Sequence, residues 1–200
     1  MKLRNIDIDI QSIFKKGIKQ KKEPFGVFLV TGYMGSGKTY FCVKFATDFI
    51  SKYKIKTNIS SLNIPNANIE IFKTLDTIYN DNEEYCLYII DELGKKYTKE
   101  ARADKDFYNF LQMSRKTKRI VLIIHQEYLQ VPIWLRGVAN EVFTTKKVRF
   151  LPSLFITYRG YAVLDEETKE WTVDYTYRYI YKRTKKIASY YDTFETVATL

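Results

Sequence analysis

Gly32-Tyr33-Met34-Gly35-Ser36-Gly37-Lys38-Thr39 satisfies the spacing G-x-x-x-x-G-K-[ST] with no mismatch. The pattern has a physical mechanism. Glycines let the backbone turn tightly and approach a ligand with no Cβ in the way. Successive N–H groups then point into one concavity, which suits an anion. A helix that starts at the end of the loop adds its positive N-terminal end. Lys38 would reach the β- and γ-phosphates of a nucleotide, and the Thr39 hydroxyl would hold Mg²⁺. Gly32 through Tyr40 are therefore the candidate nucleotide-binding residues.

A second group lies downstream. Tyr85 to Ile90 is an apolar run closed by Asp91 and Glu92. An acid pair at the C-terminal end of a buried parallel strand sits where open α/β sheets bind ligands. Asp91 would be the carboxylate acting on Mg²⁺ through its water shell. Glu92 would orient and activate an attacking water as general base. A third run, Ile120 to Ile124, is closed by His125 and Gln126. Gln126 is the candidate for sensing the γ-phosphate. His125 is the single histidine; it reads as a polar group held at a strand end rather than a metal ligand, because no second ligand accompanies it.

These residues need a strand, a loop and a helix in that order. Val27 to Val30 supplies the strand. After Thr39, Phe41, Phe45 and Phe49 recur at i, i+4 and i+8, and Cys42, Ala46 and Ile50 follow one residue along, which makes a wide apolar helical stripe. Lys54 to Asn58 reads as a second strand, and Ile71, Leu75, Ile78 and Tyr79 as a short helix. Residues 94–106 are polar and charged and read as a loop or mobile helix beside the site. Phe107, Phe110, Leu111 and Ser114 keep helical spacing, and Arg115, Lys116, Lys118 and Arg119 close that helix with positive charge. Pro132 opens a further helix, and Glu141 to Arg149 reads as a strand. Phe155 to Tyr158 and Tyr161 to Leu164 read as two strands. Val173 to Lys182 alternates strictly, with Tyr175, Tyr177, Tyr179 and Tyr181 on one face. The tyrosine face suits either stacking on nucleic acid or packing on the core.

The expected fold is α/β: a RecA-like P-loop core with a mainly parallel sheet flanked by helices, and a C-terminal antiparallel β-hairpin. Residues 1–23 form a basic leader, 24–150 the core, and 151–200 the hairpin and a basic, tyrosine-rich tail packed on it. In the leader, Ile6, Ile8, Ile10, Ile13, Phe14 and Ile18 could pack, while the lysines at 15, 16, 19, 21 and 22 read as a solvated linker. The net charge of +10 makes a polyanion the expected partner, either nucleic acid or an anionic membrane surface. Cys42 and Cys86 fall within apolar elements and read as small buried hydrophobes rather than a disulfide. There is no apolar signal core and no run long enough for a membrane span, so the chain reads as intracellular and soluble.

Taken together, the P-loop, the strand ending in Asp91-Glu92 and the strand ending in Gln126 resemble an ASCE-type P-loop ATPase. That branch carries a strand between the two Walker strands and a glutamate beside the aspartate. More narrowly, the order resembles the HerA–FtsK superfamily and, within it, viral genome-packaging and zonular-occludens-toxin-like (Zot-like) ATPases. The pieces are Thr57-Asn58-Ile59, Ile90-Asp91-Glu92, Phe110 to Arg115, Gln126, Leu135-Arg136 and Tyr191-Asp192-Thr193. The resemblance implies ATP and Mg²⁺ as cofactors and DNA, bound largely without sequence preference, as partner. It implies a homo-oligomeric ring, commonly a hexamer, with capsid or portal-vertex proteins nearby and a place in the host cytoplasm or on the virion. It also implies an arginine supplied from the neighbouring subunit, for which Arg115 is the first candidate and Arg136 the second. Two departures stand out. Threonine is usual where His125 stands, and phage Zot-like proteins carry a membrane span after the ATPase part. The second favours a compact packaging ATPase over an assembly or export ATPase.

Three other readings compete with a DNA translocase. A nucleotide kinase would need arginines around a second pocket, and Arg102, Arg115 and Arg119 are available. A switch GTPase would need an N/T-K-x-D stretch, which the sequence lacks. A DNA-binding protein with a relic P-loop is disfavoured, because Lys38, Thr39, Asp91 and Glu92 are all intact.

Overall fold

The computed structural model describes residues 24–168 and 170–192. The expectations for the leader and for Thr193 onward lie outside these. One sheet runs through the described chain, in the order β3-β2-β4-β5-β1-β6-β7-β8. Its parallel part comprises β1 (Gly26–Thr31), β2 (Lys54–Thr57), β3 (Ile69–Ile71), β4 (Cys86–Ile90), β5 (Ile120–His125) and β6 (Glu141–Val148). Every residue of β1, β4 and β5 is buried, as continuous apolar runs in a doubly covered sheet should be. β5 pairs in parallel with both β1 and β4, so a strand does separate the P-loop strand from the Asp91 strand.

Two apolar layers sandwich the sheet. Helix α1 (Lys38–Thr47) packs Phe41, Cys42, Phe45 and Ala46 on one face. It is shorter than the aromatic stripe suggested: Phe49 lies in the turn after it, where its N–H donates to the carbonyl of Ala46 at 3.0 Å. The other face is covered by α2 (Asp76–Tyr79), α3 (Lys105–Met113) and α4 (Ile133–Val138). Asp104 caps α3 by accepting the N–H groups of Asp106 and Phe107, and it also receives the hydroxyls of Tyr79 and Tyr97 at 2.9 and 2.6 Å. That anchors the polar segment after Glu92 to the core.

Four local expectations are corrected. Ile71 belongs to edge strand β3, paired with Thr57 of β2, and the helix starts only at Asp76. Arg119 is buried rather than part of an exposed basic helix end. Its guanidinium donates to the carbonyls of Glu83 and Asp81 and lies over the rings of Phe110 and Tyr88. The two strands expected over 155–164 are one strand, β7 (Leu151–Leu164), paired antiparallel with β6 and with β8 (Trp171–Lys182). Finally, the tyrosines of β8 do not share a face. The register shifts between Arg159 and Gly160, which pair with Tyr177 and Tyr175 respectively, leaving Thr176 as the extra residue. Tyr175 thereby turns to Tyr158 and Thr144, while Tyr177 lies by Arg159 and Tyr179. Tyr181 is buried against Tyr40 of α1, so its end of the strand packs on the core.

Candidate active site

The loop from Gly32 to Gly37 leaves the end of β1 and enters α1, as the motif requires. Its shape needs glycine at two positions in particular. Gly37 has φ +92°, and a Cβ there would lie 2.8 Å from the Phe155 ring of β7. A Cβ on Gly32 would lie 2.4 Å from the Thr145 carbonyl oxygen of β6. The loop is thus docked on β6 and β7, and a 2.8 Å hydrogen bond between the Ser36 and Thr145 hydroxyls reinforces this. The Gly32 N–H donates to the Gln126 carbonyl at 2.9 Å, tying the exit of β5 to the start of the loop. Tyr40 is turned into the core. Its ring stacks on Tyr181, and its hydroxyl accepts the Thr184 N–H at 2.9 Å.

Lys38 folds back on its own loop and donates to the carbonyls of Gly32 at 2.8 Å and Tyr33 at 3.1 Å. Burial lowers its pKa, opposed by the negative charge of Asp91. The Thr39 hydroxyl donates to Asp91 Oδ2 at 2.8 Å, so the two expected Mg²⁺ residues converge. A hydroxyl and a carboxylate side by side are hard oxygen donors of the kind that would hold Mg²⁺. Burial raises the pKa of Asp91, against the hydrogen bonds from Thr39 and from the Glu92 N–H. Glu92 sits at φ +56°, a left-handed conformation that a residue with a Cβ adopts only at a cost.

Asn58, at the end of β2, explains how that strained turn is held. Its Oδ1 accepts the Asp91 N–H at 2.8 Å, and its Nδ2 donates to the Asp91 carbonyl at 2.9 Å. The side chain thus clamps both backbone groups of Asp91. Thr57-Asn58-Ile59 carried only family resemblance in the sequence; the only local hint of its role was a polar residue closing an apolar strand.

A cavity of about 810 Å³ opens over these groups. Lys38, Thr39, Asp91, Glu92, His125 and Gln126 all line it, so the three strand-end motifs meet in one place. His125 is buried, and burial lowers its pKa. Its Nε2 would lie 2.8 Å from a Cβ on Gly94, so the bare backbone of Gly94 makes room for the imidazole. Lys147, Arg183, Tyr191 and Asp192 also line the cavity, brought there by the antiparallel strands and the segment after them. Arg115 is not brought to it. Its guanidinium lies beside Gly26, the first residue of β1, whereas the phosphate loop follows the last, Thr31; at about 3.3 Å per residue the two ends are about 17 Å apart. Arg136 is buried and committed: it donates to the carbonyls of Val131 at 2.8 Å and Leu129 at 2.6 Å.

The sequence profile of the zonular occludens toxin (Zot) family matches residues 26–196. The chain belongs to the Zot family. Among solved structures, the N-terminal domain of zonular occludens toxin from Neisseria meningitidis is similar over 84% of this chain and 98% of that one, with a TM-score of 0.58 at 17% identity. The genome packaging NTPase B204 from Sulfolobus turreted icosahedral virus 2, in complex with sulfate, covers 82% of this chain and 98% of its own, at TM-score 0.54 and 11% identity. The RadB recombinase covers 80% of this chain and 88% of its own, at TM-score 0.53 and 12% identity. These likenesses establish a RecA-like P-loop ATPase fold for this Zot-family chain. No curated protein matches the sequence. Among the described residues no helix is long and apolar enough to cross a membrane.

Proposed function

We propose that this Zot-family chain is a Mg²⁺-dependent ATPase that drives DNA movement, in the manner of a viral genome-packaging motor. The observation that carries the reading is the meeting of Lys38, Thr39, Asp91, Glu92 and Gln126 around one cavity. The loop N–H groups and the α1 N-terminus bind the triphosphate. Lys38 exchanges its two loop carbonyls for phosphate oxygens, which also removes the cost of a partly buried ammonium. Thr39 and Asp91 would hold Mg²⁺, which when bound would neutralise charge on the nucleotide's phosphates. Glu92 takes a proton from the attacking water, and Gln126 contacts the γ-phosphate and reports its loss through the backbone bond to Gly32. Asn58 keeps Glu92 aimed at the water by fixing the peptide before it.

The surplus positive charge supports DNA as the partner. The rim of the site supports a ring. Tyr33 and Met34 are 70% and 86% exposed on the phosphate loop itself, and apolar side chains there favour cover by a neighbouring subunit. Arg115, remote from its own Lys38, acts in trans in this reading. An assembly or export ATPase is the second reading, favoured by the family; capsid contacts would distinguish a packaging role. Phosphate release from ATP should be stimulated by DNA. Turnover that ignores DNA but transfers phosphate to a small acceptor would replace this reading with a kinase.

A further inference from the structure

The helical layer that contains α2, α3 and α4 does not reach across the whole sheet. It covers β1, β4 and β5, then Val142 of β6, and touches Ala162 and Val173 near the tip of the β7–β8 hairpin. The rest of that face has no cover among the described residues. Register sets out what it displays. Thr144, Tyr158 and Arg178 form one row across β6, β7 and β8, Lys146, Ile156 and Ile180 the next, and Leu154 and Lys182 the one after. The register shift adds Tyr175 beside Tyr158, their rings 5.8 Å apart and edge-to-face. The opposite face of the same strands is unlike it: Phe155, Thr157, Arg159 and Tyr181 are buried.

The uncovered face is both basic and apolar. Lys146, Arg178 and Lys182 are exposed, Lys146 over the Tyr158 ring at 5.3 Å, and no carboxylate shares these rows. Asp174 pairs with Tyr161 on the other face, and the acidic turn after Leu164 lies about 20 Å away along β7. Cations interleaved with aromatic and branched apolar side chains on an open sheet match a strand whose phosphates are paired and whose bases are free to stack. A duplex offers only its phosphates to such a face and leaves Tyr158, Ile156 and Ile180 without a partner. A second copy of the same face repels the first by like charge. The five lysines of residues 15–22 do so too.

We propose that this face binds single-stranded DNA, with Tyr158 and Tyr175 stacking on bases and Lys146, Arg178 and Lys182 pairing with phosphates. The inference rests on DNA being the partner, and the experiment separates the two. The full chain is titrated into a fluorescein-labelled oligothymidine, a duplex of equal length and phosphatidylserine vesicles, over a series of salt concentrations. Three variants are compared: Lys146→Ala/Arg178→Ala/Lys182→Ala, a charge-matched control Lys73→Ala/Lys99→Ala/Lys105→Ala, and Tyr158→Leu/Tyr175→Leu. All replaced lysines and arginines are exposed, and melting curves verify the fold. At about 0.7 per phosphate, losing three contacts lowers the slope of log affinity against log salt by about 2, and the affinity at 0.1 M salt about 100-fold. The tyrosine pair loses about tenfold or more in affinity with the slope unchanged. A face variant that behaves as the control does overturns the proposal while leaving DNA as partner. So does a duplex that binds more tightly with the tyrosines neutral, or a face-dependent loss seen on vesicles and not on oligonucleotide. A wild-type chain that binds neither DNA overturns both this proposal and the DNA reading.

Discussion

Asn58→Ala is the substitution that best separates holding the Asp91-Glu92 turn from binding the nucleotide. The wild-type side chain satisfies the N–H and the carbonyl of Asp91 at 2.8 and 2.9 Å, and it is itself buried. Alanine leaves both backbone groups buried without those partners. Each orphaned group costs about 1–3 kcal/mol, so the variant should lose roughly 2–6 kcal/mol of stability. That is a large share of the total of about 5–15 kcal/mol typical of a domain. The phosphate loop makes no bond to Asn58, so ATP affinity should change little. The left-handed turn at Glu92 loses its brace, so kcat should fall. Asn58→Asp is the informative companion. It keeps an acceptor for the Asp91 N–H but, ionised, cannot donate to the carbonyl, and it adds negative charge beside Asp91. It should lose stability and kcat as well. Urea denaturation gives the stability, nucleotide titration the affinity, and phosphate release the rate. An alanine variant within about 0.5 kcal/mol of wild type, with kcat unchanged, would refute the clamp.

Gly37→Ala should cost at least about 1–2 kcal/mol from the left-handed backbone alone. It should also weaken ATP binding, because the new Cβ meets Phe155; a variant that binds ATP normally would show that the loop has slack. His125 gives a pH dependence. Its folded pKa lies below the unfolded value of about 6.5, so the unfolded chain takes up a proton that the native chain does not. Stability should therefore fall as pH drops below about 6.5, by at most about 1.4 kcal/mol per unit from this group. In His125→Gln that part of the fall should vanish; identical pH profiles for the two proteins would count against it. Arg136→Ala should destabilise the chain by more than about 2 kcal/mol, since two carbonyls lose a charged donor. If it is instead stable but fails to hydrolyse ATP, Arg136 acts on the phosphates. Arg115→Ala should bind ATP normally; if it also hydrolyses ATP slowly, and mixing with Glu92→Gln protomers restores turnover, the arginine acts between subunits.

The phosphate loop and the Asp91-Glu92 strand end were legible because their chemistry is written in consecutive residues. Their flanking runs are also long enough and apolar enough to mean buried strands. The placement of β5 between β1 and β4 followed from resemblance rather than from pattern. What sequence did not reveal depends on contacts between distant segments. Arg119 looks solvated beside Lys118, yet the carbonyls of Asp81 and Glu83 and two aromatic rings enclose it. Strict alternation put four tyrosines on one face of β8, but one extra residue, Thr176, turns Tyr175 to the other. Lys147 and Arg183 had no motif at all. They reach the cavity because β6 pairs with β1 in parallel and with β7 antiparallel, a change of direction that no periodicity reports.

The central claim is that this site hydrolyses ATP with Glu92 as the base. The direct measurement is phosphate release from Mg²⁺-ATP by wild type and Glu92→Gln, with and without DNA, beside ATP affinity for both and for Lys38→Ala. Wild type should turn over ATP and stop when Mg²⁺ is chelated. Glu92→Gln should bind ATP about as well and hydrolyse it roughly 10²–10⁴-fold more slowly, while Lys38→Ala should lose binding as well as turnover. Full activity in Glu92→Gln, or no turnover by wild type under any of these conditions, would contradict the account.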